Sequence, residues 1–172
     1  MHTNYALFEA FDSNDYIKIF FDAETGGFVV AHREHGKFEF AGNKKIALLL
    51  IKHVHRVVLL GNQPNVSSAD ATLDDEVWEF KTIFETVNMR GAVQKDIKRG
   101  KRQSANILIF IAQLYNVNDI TKGIYNAIKF DGKWDVAKIG VLFQNGDLVI
   151  MTRSEIIDES FREKFGENNE GG

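Results

Sequence analysis

Met89, Val93 and Ile97 recur every four residues, the spacing of one helix face, and the residues between them are mostly polar or charged. Elsewhere the apolar residues fall in short blocks. Tyr16–Asp22 and Phe28–His32 are β-type runs on either side of Glu24-Thr25-Gly26-Gly27, a turn signal, and predict a hairpin. Asn43 is placed to cap a helix running to about His53, with Ile46, Leu49, Leu50 and His53 on its inner stripe. Arg56–Leu60 is too short and too apolar to be anything but a buried strand, and Gly61–Ser68, which holds Pro64, reads as a loop. Asp70–Leu73 and Glu76–Thr82 predict two strands around Asp74-Asp75. Asn106–Ile111 is another buried strand, and Ile120 to about Lys129 a helix. Ala137–Phe143 and Leu148–Met151 predict a hairpin across Asn145-Gly146, and a last helix follows Ser154. Between Asn43 and Ile111 the order is helix, three strands, helix, strand. This order predicts an α/β (α+β) fold with a mixed central sheet flanked by helices. It also predicts one domain over 1–165, with its core at about 43–151, and a disordered acidic tail over 166–172.

Composition narrows the class. The chain has 172 residues, 44% hydrophobic and 26% charged, which supports a packed core and excludes disorder along its length. A single proline argues against long irregular loops. With no cysteine there is no disulfide scaffold, thiolate zinc site or cysteine nucleophile. Apolar runs such as Ile46–Ile51 are far too short to span a bilayer, and the first residues show no basic-then-apolar signal pattern.

The net charge of −3 hides an uneven distribution. Arg90, Lys95, Lys98, Arg99, Lys101 and Arg102 face one acid, Asp96, so residues 90–102 carry +5 and the remainder −8. A basic stripe on an acidic protein suits a phosphate-bearing partner, but a charge run taken alone is more often a solvated helix face, so the stripe needs a second signal.

The run Ala69–Lys81 supplies the second signal. If Asp74-Asp75 is a two-residue hairpin loop, Leu73 faces Glu76 and Asp70 falls opposite Glu79. Lys81, two residues beyond Glu79, shares its face, while Ala71, Leu73, Trp78 and Phe80 fall on the other. Opposed carboxylates repel, so removing one is expected to leave the fold intact or to stabilise it. A divalent cation between them resolves the conflict, and Mg²⁺ or Mn²⁺ suits hard oxygen donors. Lys81 then serves the attacking water or the charge growing on phosphate. A purely structural cross-strand salt bridge would use the same three residues. Two histidine pairs, His32 with His35 and His53 with His55, have no spacing that assigns them a role.

An Asp, eight residues, then Glu-x-Lys, followed by a basic helix and a buried strand, resembles the PD-(D/E)XK nuclease superfamily; Ala69 replaces its usual proline. More narrowly, Ala69-Asp70-Ala71, Trp78-Glu79-Phe80-Lys81-Thr82 and the stretch Ile97–Asn106 resemble the C-terminal tRNA-cleaving domains of bacterial contact-dependent growth inhibition toxins. Related modules occur in phage and mobile-element proteins. The resemblance implies a restriction-endonuclease-like core with an N-terminal β-hairpin and a C-terminal hairpin plus helix. It implies a metal-dependent ribonuclease (Mg²⁺, or Mn²⁺ or Zn²⁺) that cleaves tRNA in the cytoplasm of a target cell. Delivery within a larger secreted protein and a cognate immunity protein are part of the same implication. Asp70 and Glu79 would hold the metal, Lys81 would assist the water, and Gln103 would sit near the phosphate. Glu39 is the nearest candidate for the family's further acid, because no acid lies between Gly42 and Arg56. Arg90, Lys95, Lys98, Arg99, Lys101 and Arg102 would bind the nucleic acid. A metal-independent ribonuclease using Lys81, Arg90 and Glu79, and a non-catalytic nucleic-acid-binding module, are the competing readings.

Overall fold

The computed structural model describes residues 3–62, 68–132 and 135–166. The fold is α/β, with a mixed sheet of eight strands and, among the described residues, five α-helices and one 3₁₀ helix. The chain divides into two compact units, Met1–Phe80 and Lys81–Gly172. The middle of the proline loop and, of the acidic tail, all but Gly166 lie outside the described residues.

In the first unit, β1 (Tyr16–Phe21) pairs antiparallel with β2 (Phe28–His32), with a register shift between Lys18 and Phe20. The next strand, β3 (Arg56–Leu59), is parallel to β2, the geometry that a helical crossover permits. That crossover is a helix over Phe40–Leu50, with Ile46, Ala47 and Leu50 buried. It starts four residues before the position expected from sequence, with Glu39 and not Asn43 at the cap position, and stops short of His53. Asn43 is therefore not its cap; it lies inside the first turns and is buried. Sequence periodicity also missed a helix over Thr3–Ala10. Its one buried residue, Phe8, lies against Phe28 and Phe21 at ring distances of 5.7 and 5.4 Å.

Antiparallel to β3 runs β4 (Ala71–Leu73), which pairs in turn with β5 (Glu76–Ile83). The turn between them is the expected two-residue one. Asp74 and Asp75 have φ of 47° and 74°, both in the left-handed region that a tight hairpin of the matching twist requires. Asp74 offsets the strain by accepting the backbone N–H groups of His55 and Arg56, at 3.1 and 2.8 Å, and the Arg56 guanidinium holds Asp75 at 2.6 Å. The pairs Leu73–Glu76, Thr72–Val77 and Ala71–Trp78 have the register expected from sequence.

The second unit repeats the crossover logic. Parallel strands β6 (Asn106–Ile111) and β7 (Lys138–Phe143) are joined through a helix over Val117–Lys129, and β8 (Leu148–Thr152) returns antiparallel. The basic segment is a helix over Met89–Gly100, capped by Asn88, whose side chain accepts from Gly91 N at 2.9 Å. Its buried line is Met89, Val93, Ile97 and Gly100. Gly123 lets the 117–129 helix approach closely, since a Cβ there would lie 2.9 Å from the Arg90 carbonyl oxygen.

Candidate active site

Asp70 occupies the bend before β4, where its carbonyl accepts Leu60 N–H at 2.9 Å. Continuing the observed register by one pair puts it opposite Glu79. Glu79 is only 1% exposed, although it points to the face opposite Trp78 and Phe80, so the hairpin is covered on both sides here. The Asp70 carboxylate is clamped at both oxygens. Oδ2 accepts the Phe80 backbone N–H at 2.8 Å, and Oδ1 accepts from Asn43 Nδ2 at 3.0 Å. Asn43 Nδ2 also lies 3.0 Å from His35 Nε2, and His35 Nδ1 bonds the Leu60 carbonyl oxygen. A carbonyl can only accept, so His35 carries its proton on Nδ1 and offers Nε2 as acceptor.

These contacts revise the idea that Asp70 is a net source of repulsion. Replacing it by Asn would set an amide N–H against one of two donors, at a cost of about 1–3 kcal/mol. Glu39 is exposed and precedes the 40–50 helix without capping it, its Oε2 lying 2.9 Å from where a Gly36 Cβ would be. Asn43, not Glu39, is the helix residue that reaches Asp70. Among the described residues no group of three or more His, Asp or Glu side chains is arranged to hold a metal ion. Two carboxylates suffice for Mg²⁺ or Mn²⁺, which keep several waters and borrow substrate phosphate oxygens. A carboxylate offers about four acceptor positions, so one hydrogen bond on each Asp70 oxygen leaves room for a cation. Zn²⁺ fits poorly, because its catalytic sites take three protein ligands.

In the second unit Lys81 Nζ donates to Gln103 Oε1 at 3.4 Å, a long hydrogen bond that brings together two of the candidate residues. Asp96 lies in the same neighbourhood. Burial pushes its carboxyl above the usual range, while the charges of Lys81, Arg99 and Lys95 pull it down. Beside it a cavity of about 490 Å³ is lined by Thr82, Phe84, Asn88, Lys95 and Asp96 among others.

The basic stripe is not uniform. Lys95, Lys98, Arg99 and Arg102 are exposed. Arg90 pairs with Asp119 at 3.3 Å. Lys101 lies 2.6 Å from Asp131 and 3.6 Å from Asp135, and Arg153 approaches the same Asp131. These partners lie far along the chain, so local charge counting did not show them. His35 and Asn43 were missed for the same reason.

Residues 67–148 match the sequence model of the contact-dependent growth inhibition CdiA C-terminal domain, just under half of the chain. Over that stretch the chain is similar to CdiA C-terminal domains. The match contains Asp70, Glu79, Lys81 and the whole basic helix. One solved structure, the CdiA-CT/CdiI toxin and immunity complex from Burkholderia pseudomallei, is 16% identical, with a TM-score of 0.47 over 67% of this chain and 85% of that one. No curated protein matches the chain. No helix among its described residues is long and apolar enough to cross a membrane.

Proposed function

We propose that this chain is a toxin domain of the CdiA C-terminal type and a divalent-metal-dependent ribonuclease of the PD-(D/E)XK kind that hydrolyses tRNA phosphodiesters. The observation that supports the reading is the β4–β5 register, whose continuation by one pair beyond Ala71–Trp78 would put Asp70 across from Glu79, with Lys81 two residues further along β5. Asp70 and Glu79 would hold Mg²⁺ or Mn²⁺. When bound, such an ion polarises the phosphate and makes a water more acidic. Lys81 supplies a positive charge toward the phosphate oxygens as negative charge grows on them. Gln103 engages the lysine through its carbonyl oxygen and would lie beside the bound phosphate. Lys95, Lys98, Arg99 and Arg102 neutralise the backbone of the bound RNA. The choice of tRNA, action in a target cell's cytoplasm and neutralisation by an immunity protein follow from the resemblance to growth-inhibition toxins.

The deciding experiment incubates purified protein with total tRNA and, separately, with plasmid DNA, each with Mg²⁺ or excess EDTA. Cleavage of tRNA with Mg²⁺ alone is expected. Full cleavage in EDTA would replace this reading by the metal-free one, and preferential cutting of plasmid would overturn the RNA assignment.

A further inference from the structure

The ribonuclease reading uses Asp70 and leaves unexplained why a buried histidine and a buried amide stand behind it. His35 is 4% exposed and Asn43 8%. Buried polar groups cost stability unless every one is satisfied, so a half-made network here would be worse than an apolar patch. The helix face that carries Asn43 also carries Ile46, Ala47 and Leu50, and packing alone gives no reason for an amide among them.

The network has one direction. The Leu60 carbonyl fixes the His35 tautomer, and that tautomer makes Nε2 an acceptor. Asn43 then gives one amide hydrogen to His35 and the other to Asp70. A flipped Asn43 would turn its carbonyl oxygen toward the carboxylate and lose both bonds, so the amide has a single satisfactory orientation. With Phe80 N–H on the opposite oxygen, the Asp70 side chain is left with no free torsion. An isolated aspartate on a bend would sample several rotamers.

We propose that Asn43, oriented by His35, is the positioning residue that presents the Asp70 carboxylate to a divalent cation. This rests on the metal reading of Asp70 and Glu79 above. Residues that orient a metal-ligating side chain through a hydrogen bond typically cost about 10–100-fold in metal affinity or activity when removed.

The test is calorimetric titration of the apo protein with Mn²⁺, with circular dichroism and melting temperature as checks of the fold. Asn43→Leu keeps the volume and removes both donors. It is expected to bind Mn²⁺ about 10–100-fold more weakly than wild type. His35→Leu should follow it, while His35→Gln, which keeps a donor for Leu60 and an acceptor for Asn43, should recover most of the affinity. A folded Asn43→Leu protein with wild-type affinity overturns the positioning role and leaves the metal reading standing. Absence of Mn²⁺ binding by wild type overturns both. If Asn43→Leu does not fold, the wild-type protein decides by NMR. Saturating Mg²⁺ should shift the side-chain amide resonances of Asn43 and leave those of Asn116 unmoved, and no shift at Asn43 overturns the proposal.

Discussion

The β4–β5 hairpin carries two sets of acids, held by different means. At the turn, Asp74 and Asp75 are answered by the charged Arg56 and by backbone N–H groups. At the open end, Asp70 is answered by neutral donors only in the contacts described, an amide and a peptide N–H, and Glu79 across from it is buried. A guanidinium cancels the charge of the acids it binds and so completes a structural site. Neutral donors fix the direction of a carboxylate and leave its charge for something else. The same residue type on one ribbon therefore serves the fold at one end and, in the function proposed above, would meet a cation at the other.

The largest effect should come from removing charge at the open end. Glu79→Gln keeps the shape of the side chain and is expected to lower Mg²⁺-dependent cleavage by about 10²–10³-fold or more. Lys81→Met, which keeps the alkyl stem, should cost about 10²-fold. Asp74→Ala supplies the contrast. It is expected to lower stability by about 1–2 kcal/mol, because backbone donors lose their acceptor, and to leave cleavage by the folded protein near wild type. Cleavage assays paired with urea unfolding measure both ends. Asp74→Ala losing cleavage while folded, or Glu79→Gln keeping it, would erase the distinction between the two acid sets.

A smaller effect divides the basic segment in the same manner. Lys95, Lys98, Arg99 and Arg102 are exposed, whereas Arg90 and Lys101 are held by Asp119 and Asp131. For RNA binding by Glu79→Gln, each phosphate contact should contribute about 0.7–0.9 log units to the slope against log salt. Lys98→Ala or Arg99→Ala should reduce that slope by roughly one contact. Lys101→Ala should lower the melting temperature and leave the slope alone, since its ammonium is already held by acids. Equal slopes for all of these variants would mean that the exposed residues are only a solvated face.

The hairpin was legible in advance because a two-residue turn and a period-2 pattern fix every pairing once the turn is placed. Asp70, Glu79 and Lys81 could thus be assigned a common face from spacing alone. Asn43 could not. The 40–50 helix begins earlier than its apolar spacing suggests, which turns a supposed cap into a buried donor, and the contact to Asp70 spans 27 residues. The partners of Arg90 and Lys101 lie 29 and 30 residues away, beyond any window that reads local charge. The α-helix over Thr3–Ala10 lacks a clear apolar stripe, and its aromatic contacts with β1 and β2 are what reveal it.

Glu155 offers the finest check of the rule that a charge answered by a cation belongs to the fold. It lies in a five-residue helix over Arg153–Ile157, in a capping box with Thr152, and 2.6 Å from Lys164. The hydrogen bond from Lys164, helped by those from Thr152, lowers its carboxyl from 4.5 to about 2. In the unfolded chain the same group takes up its proton near the ordinary value. The unfolded state therefore binds more protons between about 4.5 and 2, and stability falls as the pH is lowered through that window. Asp158, held low by Ser160, adds a change of the same sign, whereas Asp96, raised by burial, acts in the opposite sense. Glu155→Gln keeps an oxygen for Thr152, because glutamine also serves at that position, and removes the titrating charge together with the hydrogen bond that Lys164 donates to it. At pH 6 the variant should be less stable than wild type in urea, and the gap should close as the pH approaches 2. Its cleavage at neutral pH should be unchanged. A gap that stays constant with pH would show that Glu155 acts through its hydrogen bonds alone, and the cation beside an acid would then be no guide to what that acid does.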